Sequence, residues 1–149
     1  GNVLTLLEQA CRFREIFKQE ILEKISRFGF IKKNLWDMQL RLIAEEGQEF
    51  MTAADECYAD PENTNRREEL VKELSDLVFV CYQFAATYGI DLDKAMQLVY
   101  ESNLSKLDEQ GKPIYREDGK VLKGPSYLPP NLGDCLPKPQ LNYYDTNGK

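Results

Sequence analysis

The amino-acid sequence predicts an all-α fold: an antiparallel helical bundle of about four helices, ending in an irregular tail rich in proline and glycine. Three observations carry that expectation. Apolar residues recur at helical spacing through the first 107 residues. Six of the seven prolines and five of the nine glycines fall in residues 108–149, which therefore cannot hold a long helix. The connections between the helical stretches are short, which makes neighbouring helices antiparallel. The expected organisation is a helical metal-binding bundle over residues 1–107 and a C-terminal extension over residues 108–149. That extension is expected to close over a site or over a partner subunit. At 149 residues the core is modest, and oligomerisation is expected to complete it.

The first helix is expected over residues 4–28, with Leu7, Cys11, Phe17, Ile21 and Ile25 among its apolar positions and Gly29 ending or bending it. The second is expected over residues 35–58. Asn34 serves as its N-cap, Asp37 as a weak capping-box partner, and Trp36, Leu40, Ile43, Gly47 and Phe50 form its inner stripe. Residues 60–65 read as a turn. The third helix is expected over residues 66–88, capped by Asn65, striped by Leu70, Leu74, Leu77, Cys81 and Phe84, and stopped by Gly89. Its run from Leu77 to Tyr82 is apolar nearly all round, which suits burial inside a bundle or at a subunit interface. The fourth helix opens on Asp91 as N-cap and runs to about Leu107, with Leu92, Ala95, Met96 and Val99 facing inward.

Histidine is absent. That excludes histidine-ligated zinc or haem and any Ser-His-Asp or Cys-His nucleophile. Catalysis near neutral pH is left to carboxylates, amines, thiols, hydroxyls or a metal-bound water. Cys11, Cys57, Cys81 and Cys135 form no CxxC pair and read as reduced thiols of a cytoplasmic protein, in bacteria or a phage-infected host. The first residues do not read as a signal peptide and no 18-residue apolar stretch is found, so neither secretion nor a membrane role is expected. The net charge is -6. Residues 108–149 hold six basic and six acidic side chains, so the whole excess lies in residues 1–107. An acidic body argues against a nucleic-acid partner, though not against a small anionic ligand held by metal and local cations.

Two carboxylate pairs stand out. Glu46/Glu49 and Glu73/Asp76 share i,i+3 spacing, so each pair occupies one helix face, beside the apolar stripe. Glu45 points further outward. Charges beside a core stripe are costly unless compensated. If the two helices pack antiparallel, four carboxylates converge at one edge, and a hard divalent cation relieves their repulsion. Mg²⁺ suits such oxygens and commonly sits on phosphate-bearing substrates; Mn²⁺ is tolerated. The competing reading is solvated helix surface.

These motifs resemble the all-α NTP pyrophosphohydrolases, the MazG-like group that also includes phosphoribosyl-ATP pyrophosphohydrolases and helical dUTPases and dCTPases. That group's EExxE, gap, ExxD pattern is matched by Glu45-Glu46-Gly47-Gln48-Glu49 and Glu73-Leu74-Ser75-Asp76. Residues 101–107 resemble its last helix, and residues 116–125 resemble the tail of a phage and bacterial branch. The resemblance spans roughly residues 33–132. It implies that a nucleoside triphosphate and water give the monophosphate and pyrophosphate, by attack of metal-activated water at the α-phosphorus. It also implies that Glu46, Glu49, Glu73 and Asp76 hold Mg²⁺, and that Glu45 joins them or orients or deprotonates the water. Asn103 and Lys106, on one face of the fourth helix, are implied to contact phosphates or sugar. Arg116, Lys120 and Lys123 would close over the triphosphate, and Trp36 either stacks on the base or packs in the core. The family usually forms dimers or tetramers, so a homodimer or homotetramer is expected. The leading expectation is a general (d)NTP pyrophosphohydrolase. The alternatives are a phosphoribosyl-ATP pyrophosphohydrolase of histidine biosynthesis and a non-catalytic helical dimerisation or binding module.

Overall fold

The computed structural model describes residues 3–22 and 32–136. Among them are four helices: α1 (Leu6–Ile16), α2 (Lys33–Ala59), α3 (Thr64–Thr87) and α4 (Leu92–Leu104). Strand is confined to a two-residue pair, β1 (Ile114–Tyr115) and β2 (Val121–Leu122), so the all-α class holds. No described helix is long and apolar enough to cross a membrane. The chain divides into two compact units, with the joint between Ile90 and Asp91; α4 groups with the segment that follows it.

In the first unit, α1 starts with a reciprocal capping box. Thr5 Oγ1 accepts from the Glu8 amide at 3.1 Å, and Glu8 Oε1 accepts from the Thr5 amide at 2.8 Å. The helix then stops at Ile16, short of the expected residue 28. Lys18 takes a left-handed φ of 55°. The Gln19 amide donates to the Arg14 carbonyl and the Lys18 amide to the Glu15 carbonyl, at 2.8 and 3.3 Å. This is a Schellman ending built without glycine. Ile25 and the expected stop at Gly29 lie outside the described residues.

Asn34 does not cap α2. The cap position is Lys32, whose side chain does not cap the helix, and Asn34 lies within the first helical turn. Likewise α3 is capped by Asn63, whose Oδ1 accepts from the Arg66 amide at 3.2 Å, two residues earlier than Asn65. The end of α3 is as expected: Gly89 has φ 67°, and the Ile90 amide donates back to the Ala85 carbonyl at 3.0 Å.

Helices α2 and α3 form an antiparallel hairpin. Trp36, near the start of α2, meets Phe84 and Tyr88 near the end of α3 edge to face, at 5.1 and 5.2 Å between centroids. At the other end Arg66 pairs with Glu56. The inner row of α2 is Trp36, Gln39, Ile43, Glu46, Phe50 and Ala53, and that of α3 is Leu70, Glu73, Leu77, Val80, Phe84 and Thr87. Leu40 and Leu74, expected inside, are 44% and 46% exposed. The expected stripes were displaced because Gln39, Glu46 and Glu73 stand in the inner rows, where an apolar pattern does not count them.

Helix α1 packs on α3 through Phe13 against Phe79 and through Arg14, which is 1% exposed. Arg14 Nε donates to the Glu20 carbonyl at 2.7 Å and its Nη1 to Gln83 Oε1 at 3.0 Å. Among the buried core side chains of this unit, Ala10, Ala53, Ala85 and Ala86 are small, which lets helix backbones approach closely, while Tyr82 and Tyr88 supply bulk. Val78, inside the nearly all-apolar run, is still 39% exposed.

The second unit folds its tail back onto α4. Asp91 caps α4 by accepting from the Lys94 amide at 3.1 Å, and its own amide donates to the Cys135 carbonyl at 2.9 Å. The helix ends at Leu104, not near Leu107, so Asn103 and Lys106 do not share a helical face. The amides of Ser105 and Lys106 bond three residues back, in a tighter turn. Ser102 Oγ donates to the Leu128 carbonyl at 2.7 Å, and the Leu128 amide donates to Ser105 Oγ at 2.9 Å. Between these anchors β1 and β2 pair antiparallel, with Ile114 opposite Leu122 and Tyr115 opposite Val121. The Gly124 amide donates to the Lys106 carbonyl at 2.8 Å. A Cβ on Gly124 would lie 2.6 Å from the Leu107 carbonyl oxygen, so only glycine fits this crossing. All four cysteines are free thiols, and Cys135 is buried.

Candidate functional site

The inward glutamates of the α2–α3 hairpin meet. One carboxylate oxygen from each of Glu46, Glu49 and Glu73 lies within 4.8 Å of the others. Glu46 and Glu49 are one turn apart on α2, and the antiparallel partner supplies Glu73 from α3. Glu73 is 6% exposed. One oxygen of Glu73 and one of Glu46, both Oε2, are buried with no hydrogen-bond partner.

The electrostatics follow from that crowding. Glu46 and Glu73 push the Glu49 carboxyl above the usual glutamate range, because a proton between neighbouring carboxylates relieves their repulsion. Glu69, one turn before Glu73, is raised for the same reason, chiefly by Glu73. Glu73 itself is lowered, first by the Lys72 ammonium and then by the proton it shares with Glu69. A cavity of about 340 Å³ opens beside the cluster, lined by Gln48, Glu49, Thr52, Ala53, Glu56, Glu69 and Glu73. A second, of about 490 Å³, shares Glu56 and Glu69 with it and adds Asn63, Asn65 and Arg66.

These residues fit a hard divalent cation. The donors are all carboxylate oxygens, two of them buried and orphaned, and a buried unpaired carboxylate oxygen is costly until something compensates it.

The other expected site residues are placed differently. Asp76 Oδ2 lies 2.9 Å from Lys72 Nζ, so Asp76 is engaged by a lysine. Glu45 is exposed on α2. Trp36 packs on Phe84 and Tyr88, as described. In the second unit, Asn103 is exposed at the end of α4 and Lys106 lies in the turn beyond it. Arg116 forks onto Asp118 across the hairpin turn, with Nε to Oδ1 at 2.9 Å. Lys123 Nζ sits 4.8 Å above the Tyr127 ring. Lys120 is exposed, and its side chain makes no ion pair among the described residues. Two members of the acidic neighbourhood, Glu69 and Lys72, escape a reading of the EExxE and ExxD motifs. Their signal was available in the spacing: Glu69 precedes Glu73 by four residues, and Lys72 precedes Asp76 by four.

Comparison with known proteins agrees with this geometry. Residues 10–103 match the family described as phosphoribosyl-ATP pyrophosphohydrolase. A curated relative, the phosphoribosyl-ATP pyrophosphatase of Bacillus cereus (strain Q1), is 30% identical over 110 residues. Those residues cover 74% of this chain and 91% of the relative. The matched family span contains α2 and α3 whole, and with them every carboxylate of the groove. The chain therefore belongs to the phosphoribosyl-ATP pyrophosphohydrolase family, within the MazG-like all-α NTP pyrophosphohydrolases, and is a hydrolase of phosphoanhydride bonds.

Proposed function

We propose that the chain hydrolyses phosphoribosyl-ATP. Water adds to the α-phosphorus, the bond between the α-phosphorus and the bridging oxygen breaks, and that oxygen leaves with pyrophosphate. The observation that carries this reading is the family match over residues 10–103, supported by the Bacillus cereus relative. It favours the narrower of the two enzyme readings over a general (d)NTP pyrophosphohydrolase. Glu46, Glu49 and Glu73 would hold a divalent cation, Mg²⁺ by preference or Mn²⁺, with Asp76 as a further ligand. Such an ion, when bound, offsets charge on phosphate oxygens and makes a coordinated water more acidic.

The chain's own residues do the remaining work. Glu46 and Glu73 present oxygens that need no reorganisation, since both already stand without partners. Glu45, exposed beside the cluster, is assigned the proton of the attacking water. Asn103, Lys106 and Lys120 are assigned the substrate's phosphate and sugar oxygens. Arg116 and Lys123 join them only by leaving Asp118 and Tyr127. Trp36, set edge-on against two aromatic rings, is assigned a packing role. Exposed apolar side chains on α2 and α3, among them Met51 at 56% and Val71 at 63%, support assembly with a second copy.

One observation keeps the broader substrate reading in view: residues 104–136, including the whole hairpin, lie beyond the matched family span. Initial rates with Mg²⁺ over phosphoribosyl-ATP, the dNTPs and the NTPs test the choice. The expected result is the highest kcat/KM on phosphoribosyl-ATP, with phosphoribosyl-AMP and pyrophosphate as products. A higher value on any (d)NTP would transfer the assignment to the broader reaction.

A further inference from the structure

Among the described residues, Lys72 is the one cation paired with a member of the three-glutamate cluster. Its ammonium lies 2.9 Å from Asp76 Oδ2 and 3.1 Å from Glu73 Oε1, so it bridges two carboxylates of the ExxD motif. The contact to Asp76 spans one helical turn, an i,i+4 spacing that brings the two side chains onto one face. Asp76 first and Glu73 second hold the ammonium well above the usual lysine range. The two carboxylates differ in what else they do. Glu73 also belongs to the three-glutamate cluster, whereas Asp76 does not. The lysine side chain is 61% exposed and Asp76 40%, so their contact can open into solvent without unpacking the hairpin.

We propose that Lys72 is an internal counter-cation, which holds Asp76 away from the three-glutamate cluster until a divalent ion displaces it. Lys72 is thus a positioning residue for Asp76. It neutralises part of the groove before metal arrives, and it sets how tightly metal is held by competing for one ligand. Displacement also leaves the Lys72 ammonium unpaired next to a site for a polyanionic substrate, where it can meet a phosphate oxygen in place of Asp76. The proposal rests on the reading of Glu46, Glu49 and Glu73 as a metal site.

The test is a double-mutant cycle on the full chain, with Mn²⁺ alone as the titrant, in a calorimeter and without nucleotide. Lys72→Met is expected to tighten Mn²⁺ binding by about threefold to fivefold, the range an exposed ion pair can contribute. Asp76→Asn is expected to weaken it. In the Asp76→Asn background the effect of Lys72→Met should shrink to less than half, because the competition for Asp76 is already gone and only the contact to Glu73 remains. Lys72→Arg, which keeps the pair, should stay within about twofold of the parent chain. Equal effects of Lys72→Met in both backgrounds would overturn the proposal, since the lysine would then act only as a nearby positive charge. Weaker binding in Lys72→Met would overturn it as well. Failure of the metal site itself reads differently: Glu73→Gln would bind Mn²⁺ as tightly as the parent chain, or the parent would bind none, and both readings fall together.

Discussion

The α2–α3 groove and the unit after Asp91 treat charge in opposite ways. In the groove, three glutamates crowd within 4.8 Å, two of their oxygens are buried and orphaned, and Glu49 and Glu69 hold protons above their ordinary range. In the second unit many of the charges are answered locally. Arg116 and Asp118 pair, which raises the arginine and lowers the aspartate. Lys94 lies 3.7 Å from Asp134, Lys123 stacks on Tyr127, and Asp108 accepts from the Gln110 and Lys112 amides at 2.9 and 2.8 Å. Unsatisfied buried polar groups are rare in native proteins, so a cluster of them calls for a physical explanation. Satisfied groups report on how a segment is held. The difference separates a groove that leaves carboxylate oxygens uncompensated from a segment whose polar residues fasten a tail.

That contrast predicts where substitutions register. The largest effect is expected from Glu73→Gln, which removes the carboxylate shared by the cluster and Lys72. Turnover should fall by about 100-fold, the upper end of what even outer-shell partners of a metal ligand cost. The fold should survive, since a buried repulsion is relieved. Steady-state rates alongside far-ultraviolet circular dichroism check both halves, and a variant with parental turnover would remove Glu73 from the site. In the second unit the losses should be of stability. Gly124→Ala drives a Cβ to 2.6 and 2.7 Å from the carbonyl oxygens of Leu107 and Lys106, and urea denaturation should show a loss of about 1–3 kcal/mol. Ser102→Ala deletes the hydroxyl that reaches the Leu128 carbonyl, with an expected loss of about 1 kcal/mol in the same assay. A null result for both would break the contrast from the other side.

The smallest expected effect concerns protons. Glu49 and Glu69 are raised in the metal-free fold, so each favours that fold at low pH and loses the advantage as pH rises through its raised value. Glu73, lowered, works in the opposite sense and loses its contribution as pH falls through its own lowered value. Metal can bind only after the raised carboxyls lose their protons. Mn²⁺ binding should therefore weaken as pH falls toward the carboxylate range. It should also release a growing fraction of a proton per ion, which calorimetry in two buffers of different ionisation enthalpy measures. Proton release that does not change with pH would contradict the crowding of these carboxylates.

Much of this architecture was legible in the residues. Periodicity and the placement of proline and glycine predicted an all-α fold, and Asp91 and Gly89 marked their helix ends. What misled was chemistry that leaves no letter pattern. Lys18 closes α1 in a conformation usually reserved for glycine, so nothing near residue 16 announces an end. Asn63 and Asn65 are equally good caps as letters, and Asn63 is the one that accepts from a helix amide while its own side chain and amide donate to Asp60. Glu46 and Glu73 look like residues flanking a stripe when they stand in it, because a buried glutamate reads as surface. For the candidate site, the two motifs pointed to the helices that bring Glu46, Glu49 and Glu73 together. They were silent on Lys72, whose pairing with Asp76 depends on a side-chain rotamer.

Anomalous scattering from a crystal of the full chain grown with Mn²⁺ tests the central claim most directly. The account predicts a peak at the manganese edge within coordinating distance, about 2.0–2.6 Å for hard cations of this kind, of oxygens from Glu46, Glu49 and Glu73. A map with manganese elsewhere, or with none between α2 and α3, would contradict it.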